Sequence, residues 1–413
     1  MTVYETDEII ERVILVGVAF DTDDDTERSL DELGELAKTA GAQTVGRIIQ
    51  TRDNFHPATY IGKGKIEELR LMIDELDATG IICDDELSPA QFKNLEDELG
   101  VKVMDRTMVI LDIFAARATS SEGKIQVEMA QLKYRSIRLA GFGTSMSRLG
   151  GGIGTRGPGE KKIETDRRLI RDRISKLSVD LKDMKEHRDV QRSKRAKTST
   201  PVAAIVGYTN AGKSTLLNKL TDAGVLSENK LFATLDPTTR SMELPNGEKV
   251  LLTDTVGFIR KLPHNLIEAF KSTLEEAKYA DIIVHVVDVS NPDYEQQMST
   301  VYATLKQLGV EGKPVITLFN KCDVLPEKPA AKDLHADYTY NISAIRGNGL
   351  EAFKECIQEI ILKSRIRIER VFPYSEAGKI QLIRQFGQLE SEEYTEDGIK
   401  VLAYVPKEIE GKL

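Results

Sequence analysis

Gly207-Tyr208-Thr209-Asn210-Ala211-Gly212-Lys213-Ser214 is a G-x-x-x-x-G-K-S run, preceded by the apolar stretch Val202–Val206 and followed by helix formers. A glycine-rich loop between a strand and a helix turns successive backbone N–H groups toward phosphate oxygens, and the helix N-terminus adds a favourable dipole. Lys213 is spaced to reach the β- and γ-phosphates of a nucleoside triphosphate, and the Ser214 hydroxyl to ligate Mg²⁺. The chemistry implied is phosphoryl transfer, which needs charge stabilisation and an oriented water more than covalent catalysis.

Three further clusters fit that chemistry, each expected at the end of a strand. The run VLLTDTVGF ends in Asp254-Thr255-Val256-Gly257. Its carboxylate can hold Mg²⁺ through water, and the Gly257 N–H can sense a γ-phosphate. Asn320-Lys321-Cys322-Asp323 closes the apolar run after Pro314, where open α/β sheets place ligands. Asp323 can accept from both the ring N1–H and the 2-amino group of guanine. Adenine has no such donor pair and would leave the carboxylate unpaired. Ser343-Ala344-Ile345 forms a turn suited to backing the base. Between the first two clusters lies LFATLDPTTRS, whose threonines at 234, 238 and 239 each offer a hydroxyl that would complete the Mg²⁺ shell only with the γ-phosphate present. Asn210, four residues before Ser214, is a candidate K⁺ ligand by its resemblance to the asparagine with which some GTPases hold K⁺ against the phosphates, the ion replacing the charge of an arginine finger.

These groups need a scaffold, and the chain divides into four parts. Residues 1–123 alternate β-branched runs with helix-like segments, which predicts a small parallel α/β subdomain. Within it, Tyr60-Ile-Gly-Lys-Gly-Lys65 reads either as a phosphate or RNA contact or as a tight turn before a helix. Residues 124–198 predict an antiparallel helical hairpin. One helix carries Ile125, Met129, Leu132, Ser136 and Leu139 and stops at Gly141. The other carries the stripe Ile163, Ile170, Ile174, Leu177, Leu181, Met184. The loop between them, Gly141–Lys162, is rich in glycine and arginine. Residues 199–363 hold the nucleotide motifs. Residues 364–413 predict a small α/β domain in strand–helix–strand–strand order, with its helix over Gly378–Phe386.

From Glu160 to Lys197 there are fourteen Lys/Arg against eight Asp/Glu, a local charge of about +6 within a chain of formal charge −9. A protruding basic hairpin with a Gly/Arg tip suits an RNA backbone. Arg148, Gly151, Gly152, Arg156, Lys161 and Lys162 are the candidate contacts, with the glycines allowing close approach and the arginines bidentate phosphate pairing. The overall negative charge argues against indiscriminate nucleic-acid binding, so a DNA partner is not expected. The longest apolar run, Ile282–Val289, contains His285 and Asp288 and is too short to span a bilayer. The acidic start MTVYETDEII lacks the order of a secretory signal. Three scattered cysteines without a C-x-x-C pair suggest neither a disulfide framework nor a zinc site. The expected location is the cytoplasm.

Taken together, GYTNAGKST, LFATLDPTTR, DTVGFI and NKCD resemble the Ras-like GTPases of the translation-factor class. With GFGTSMSRLGGGIGTRGPGE and TDRRLIRDRI added, nearly the whole chain resembles the HflX family of ribosome-associated GTPases. The resemblance implies that the switch threonine is the one in Phe232-Ala233-Thr234-Leu235-Asp236, so that Ser214 and Thr234 are the metal ligands. It further implies an N-terminal domain that docks on the large (50S) ribosomal subunit and its rRNA. The hairpin tip would point toward the peptidyl transferase centre, and binding would dissociate 70S ribosomes stalled or idle under stress. Off the ribosome a monomer is expected. Two departures stand out. The family pattern after GPGE continues with Thr-Gln, whereas this chain has Lys161-Lys162. Where Ras-like enzymes orient water with glutamine after D-x-x-G, this chain has Phe258, which predicts slow intrinsic hydrolysis and activation by a partner. The same phenylalanine also reads as an apolar anchor. The other readings open to the sequence are a ribosome-assembly or hibernation GTPase and an RNA-binding module with structural nucleotide.

Overall fold

Parallel strands need crossovers, and the strand–helix rhythm of the first hundred residues supplies them. The computed structural model describes residues 10–20, 25–147, 158–196, 200–221, 231–232, 235–261, 271–327, 331–411 and 413. It divides into two compact units. Unit 1 comprises Met1–Met184 with Glu228–Asp236 and Ile259–Ser272, and unit 2 comprises Lys185–Ser227, Pro237–Phe258 and Thr273–Leu413.

Unit 1 runs β1 (Arg12–Ala19), α1 (Thr26–Thr39), β2 (Gln43–Thr51), α2 (Lys63–Glu75), β3 (Gly80–Cys83), α3 (Pro89–Leu99), β4 (Lys102–Asp105) and α4 (Arg106–Arg117). The sheet order is β2-β1-β3-β4 with every pairing parallel. β1 is buried from Val13 to Ala19, the continuous apolar pattern of a strand covered on both faces. Local signals hold where the sequence places them. Ser88 forms a capping box with Gln91, Pro89 opens α3 and Gly100 closes it in the left-handed region. At Tyr60–Lys65 the structure has a turn into a helix: Gly62 precedes α2, and its N–H donates to Gln50 Oε1 at 2.8 Å.

The C-terminal edge of this sheet is built around one buried cation. Arg106 is 1% exposed. Its guanidinium donates to Glu32 Oε1 at 2.6 Å, to Asp84 Oδ1 at 2.7 Å and to the Ser29 carbonyl at 2.9 Å. Burial pushes the Asp84 carboxyl up, but Arg106 and then Lys261 more than offset it and hold Asp84 below the usual carboxylate range. Its stabilising contribution is therefore present above the unfolded pKa near ~4 and lost as pH falls through the lower folded value. Removing one partner of such a group strands the other charge. Arg106→Met is expected to destabilise unit 1 by about 3–5 kcal/mol, read as a lower urea midpoint. A loss under ~1 kcal/mol would contradict the burial argument.

The two helices that follow, α5 (Ser121–Ser147) and α6 (Pro158–Ala196), are longer than the sequence suggests. α5 continues through Gly141 and Gly143, and α6 begins at Pro158, the position where proline is tolerated in a helix. The buried face of α5 is also rotated from the expected stripe. Gly123, Val127, Ala130 and Tyr134 are buried with Met129, while Ile125, Leu132, Ser136 and Leu139 are half-buried. Tertiary partners decide this: Tyr134 donates to the buried Asp105, and the Arg138 guanidinium lies 3.6 Å above the Phe92 ring. On α6 the expected stripe holds from Ile170 to Met184, while the Ile163 side chain lies outside the described ones. Leu177 is 2% exposed and Ile170, Ile174, Leu181 and Met184 are half-buried. Arg173 joins the helices through a two-pronged pair with Glu128 at 2.7 and 3.0 Å. Among the expected RNA contacts, Arg148, Gly151, Gly152 and Arg156 lie outside the described residues. Lys161 and Lys162 fall in the first turns of α6.

Unit 2 contains β5 (Val202–Gly207), α7 (Lys213–Thr221), β6 (Thr238–Glu243), β7 (Lys249–Asp254), α8 (Lys271–Tyr279, of which Thr273 onward belongs here), β8 (Ile282–Asp288), α9 (Tyr294–Gln307), β9 (Val315–Asn320), β10 (Tyr338–Asn341) and α10 (Leu350–Ser364). The order is β10-β9-β8-β5-β7-β6, parallel except for β6, which pairs antiparallel with β7. A core of Ile205, Leu216, Val284, Leu318, Phe353 and their neighbours fills it. β11 (Ile366–Phe372), α11 (Ala377–Phe386), β12 (Gln388–Thr395), β13 (Gly398–Val405) and the short α12 (Lys407–Glu410) complete the chain. They form the expected strand–helix–strand–strand order, as an antiparallel sheet β11-β13-β12. Among the described residues no helix is long and apolar enough to cross a membrane.

Candidate nucleotide site

β5 delivers the chain into the Gly207–Ser214 loop, and α7 starts at Lys213. Gly212 has φ +96°, and a Cβ there would lie 2.3 Å from Asn320 Nδ2, so no other residue fits. Asn210 sits at φ 61°, a left-handed conformation that asparagine tolerates, and is exposed. Tyr208, Thr209 and Ala211 are buried. Lys213 is 7% exposed, and its Nζ donates to the carbonyls of Gly207 at 3.1 Å and Tyr208 at 2.7 Å. Burial pushes its ammonium down to about 8, against the opposing pull of Asp254. A polyphosphate would restore that charge.

β7 ends at Asp254, fully buried beside the loop, and Ser214 Oγ donates to Asp254 Oδ2 at 2.8 Å. This pair fits Mg²⁺: a hydroxyl and a carboxylate oxygen are hard donors, and the ion needs few protein ligands when phosphates supply the rest. Among the described residues no group of three or more His, Cys, Asp or Glu could hold a metal ion by itself. Beyond Asp254, the Thr255 hydroxyl donates to the Ile205 carbonyl at 2.8 Å and Val256 is buried. Gly257 lies close over the loop: a Cβ there would meet Thr209 Cγ2 at 2.8 Å and Lys213 Nζ at 2.9 Å. The next residue joins the loop directly. Thr209 N–H donates to the Phe258 carbonyl at 2.8 Å, and Phe258 N–H to the Gly207 carbonyl at 3.1 Å. The Phe258 ring is 2% exposed, as an anchor requires.

At the end of β9 the N-K-x-D residues divide their work. Asn320 donates to the Ala211 carbonyl and accepts from the Ala344 N–H, both at 2.9 Å, so it ties the phosphate loop to the Ser343-Ala344 turn. Lys321, at φ 64°, pairs with Asp288 Oδ2 at 2.6 Å. Cys322 Sγ donates to the Phe319 carbonyl at 3.0 Å. Asp323 has a side chain 14% exposed and a carboxyl held below its usual range, chiefly by a hydrogen bond from the Ser343 hydroxyl. It is thus an ionised acceptor, set at 3.3 Å from Arg346 Nε. Ser343 and Ala344 are buried, and Ile345 is 72% exposed. The sequence reading missed Asp288 and Arg346. Asp288 had a signal, as an acid ending a strand that neighbours β9; Arg346 had none.

The LFATLDPTTRS segment is split by the fold. Thr238 and Thr239 enter β6, and Thr239 Oγ1 lies 2.9 Å from Thr253 Oγ1, so both belong to a strand rather than to a loop. Ala233 and Thr234 lie outside the described residues. Phe232, Leu235 and Asp236 belong to unit 1. Phe232 is 2% exposed with its ring edge-on to Phe114 at 4.7 Å, and Leu235 is buried. The Asp236 carboxylate accepts from the N–H groups of Thr119 and Ser120 and from both of their hydroxyls, at 2.5–2.9 Å.

Comparison with known proteins accords with this geometry. Three family models match in succession: a GTP-binding GTPase N-terminal domain over residues 27–115, a GTP-binding GTPase middle region over 117–195, and a 50S ribosome-binding GTPase domain over 202–321. The chain is 63% identical over 405 residues to the GTPase HflX of Lacrimispora saccharolytica, covering 98% of this chain and 96% of that one. It is 38% identical to the GTPase HflX of Escherichia coli, covering 94% and 92%. A crystal structure of a GTP-binding protein from Sulfolobus solfataricus with GDP aligns at 25% identity and a TM-score of 0.45, covering 84% and 98%. The Gly207–Ser214 loop, the Ser214–Asp254 pair and the N-K-x-D residues thus stand in one unit, in a chain that matches its relatives over nearly its whole length: it belongs to the HflX family of GTPases, and the reaction it catalyses is hydrolysis of GTP to GDP and phosphate.

Proposed function

We propose that the GTP form of this protein binds the large (50S) ribosomal subunit and dissociates 70S ribosomes, in the rescue of stalled or hibernating particles under stress. The observation that most supports this is α6. Among the described side chains, Arg168, Arg171, Lys176 and Lys182 are exposed along a helix whose apolar seam faces inward, a basic surface suited to rRNA phosphates. The matched model of a 50S ribosome-binding GTPase points to the same partner. Arg148, Gly151, Gly152 and Arg156, with Lys161 and Lys162, would make the closest RNA contacts. Splitting follows from differential affinity of the two nucleotide states for the subunit, since equal affinity shifts nothing. The protein works as a cytoplasmic monomer between encounters.

Within the site, Ser214 and Thr234 ligate Mg²⁺, Thr234 and the Gly257 N–H report the γ-phosphate, and Lys213 offsets the charge that develops on it. Because Phe258 is buried and has no hydrogen-bonding group, water orientation comes from the bound subunit. Purified 50S is expected to raise GTP turnover at least about tenfold, about 1.4 kcal/mol off the barrier. Sucrose-gradient sedimentation should show 70S converting to subunits with GTP and with a non-hydrolysable analogue. No stimulation by 50S together with intact 70S peaks would overturn the proposal and favour an assembly factor.

Asn210, exposed at the apex of the loop, would hold K⁺ against the phosphates. Turnover in KCl is expected to exceed that in NaCl by about tenfold or more, with Asn210→Ala abolishing the difference. Equal rates in the two salts would sink this assignment.

A further inference from the structure

One polar side chain of the Gly207–Ser214 loop has a placement that packing alone does not explain. Thr209 is 6% exposed, and its hydroxyl oxygen is buried with no hydrogen-bond partner among the described residues. The other buried threonines of unit 2 differ. The hydroxyls of Thr253, Thr255, Thr304 and Thr317 each have a partner at 2.6–2.9 Å. A buried hydroxyl left unpaired is costly, and in a native fold it calls for a reason.

The backbone of the same residue is already committed. A phosphate loop works by turning its N–H groups toward phosphate oxygens, yet the Thr209 N–H donates to the Phe258 carbonyl at 2.8 Å. Phe258 N–H returns the bond to the Gly207 carbonyl at 3.1 Å, which laces the loop to the turn after β7. In this arrangement residue 209 has only its side chain to offer a phosphate.

That side chain stands where a terminal phosphate would be read. A Cβ built on Gly257 would lie 2.8 Å from Thr209 Cγ2 and 2.9 Å from both Thr209 Cα and Lys213 Nζ, so the threonine, the glycine and the lysine meet at one point. The polar groups gathered there are donors. Two of the three Lys213 ammonium protons go to the carbonyls of Gly207 and Tyr208, at 3.1 and 2.7 Å, which leaves the third to give. An anion with several acceptor oxygens is what satisfies an ammonium and a hydroxyl together. Threonine suits the task, because its β-branch restricts χ1 and holds the hydroxyl in place before the ligand arrives.

We propose that the Thr209 hydroxyl donates a hydrogen bond to a γ-phosphoryl oxygen of GTP, an oxygen that GDP lacks, and so contributes to GTP affinity and not to GDP affinity. This rests on the reading of Gly257 as the γ-phosphate sensor and adds the side chain that works beside it. Thr209 is a specificity residue here: it holds the terminal phosphate, and no bond is made or broken on it.

The test uses the full chain with two fluorescent nucleotides, mant-GDP and a mant-labelled non-hydrolysable GTP analogue. Thr209→Val keeps the shape and the β-branch and removes the hydroxyl. Thr209→Ser keeps the hydroxyl and removes the methyl group that faces Gly257. The valine variant is expected to raise the Kd for the GTP analogue by about 10-fold or more, the loss of one hydrogen bond to a charged group, with the Kd for GDP within about twofold. The serine variant should stay within about threefold of wild type for both nucleotides. A packing role predicts the reverse order, since valine fills the volume of threonine and serine does not. An unchanged Kd for the GTP analogue in Thr209→Val, or an equal loss of both nucleotides, would overturn the proposal. Gly257→Ala in the same assay separates it from the reading beneath it. If that variant lowers the preference for the GTP analogue and Thr209→Val does not, the threonine alone is struck. If neither variant moves it, the sensor reading falls as well.

Discussion

Asp323→Asn is expected to exchange guanine for xanthine. The ionised carboxylate of Asp323 is an acceptor only, held in that state by the Ser343 hydroxyl and Arg346. Guanine meets it with two donors. Asparagine offers one acceptor and one NH₂ donor, which clashes with the 2-amino group but matches the C2 oxygen and N1–H of xanthine. Hydrogen bonds to a charged partner are worth about 1.5–3 kcal/mol each, so losing two should weaken GTP by about 10²–10⁴-fold. Xanthosine triphosphate should recover most of that loss. The measurement is competition of GTP, xanthosine triphosphate and ATP for the mant-GDP site in both proteins. Equal loss of all purine nucleotides would mean that Asp323 holds the loop and does not read the base.

The second large effect is expected at Lys213. Its ammonium is buried, its hydrogen-bond acceptors are two loop carbonyls, and burial outweighs the pull of Asp254 and pushes its pKa down to about 8. That is the arrangement of a cation set aside for an incoming anion. Lys213→Ala is expected to reduce 50S-stimulated turnover by about 10³-fold or more, the scale of removing a preorganised charge from phosphoryl transfer. Single-turnover rates at saturating GTP separate this from weaker binding. If Lys213→Ala still splits 70S particles at the wild-type extent, nucleotide plays a structural part only. Retention of wild-type hydrolysis would remove Lys213 from the catalytic machinery altogether.

Much of the nucleotide site was legible because its logic is local. A strand end, a glycine-rich turn and a helix start place Gly207–Ser214 without help from elsewhere, and each of the other clusters likewise terminates a strand. The elements themselves were readable where caps and breakers speak plainly, as at Ser88-Pro89 and Gly100. Reading failed where a side chain's destination lies far along the chain. Gly141 signalled a helix end, yet α5 runs to Ser147, since a glycine weakens a helix by only about 1 kcal/mol. The face that α5 buries was set by Tyr134 and Arg138 reaching Asp105 and Phe92, not by the spacing of its aliphatic residues.

The sequence by itself determined the class of chemistry: the G-x-x-x-x-G-K-S, D-x-x-G and N-K-x-D runs of a GTPase are each short enough to be written in neighbouring residues. Only the tertiary structure decided what Asp236, Lys261 and Arg106 pair with. Asp236 meets Ser120 across 116 positions, Lys261 meets Asp84 across 177, and Arg106 meets the Arg260 carbonyl across 154. In sequence each is one charged residue among many in a chain that is 30% charged. Which of those charges pair, and with what, depends on strand order and helix placement across the whole unit, since only folding brings distant partners within reach and screens them from water.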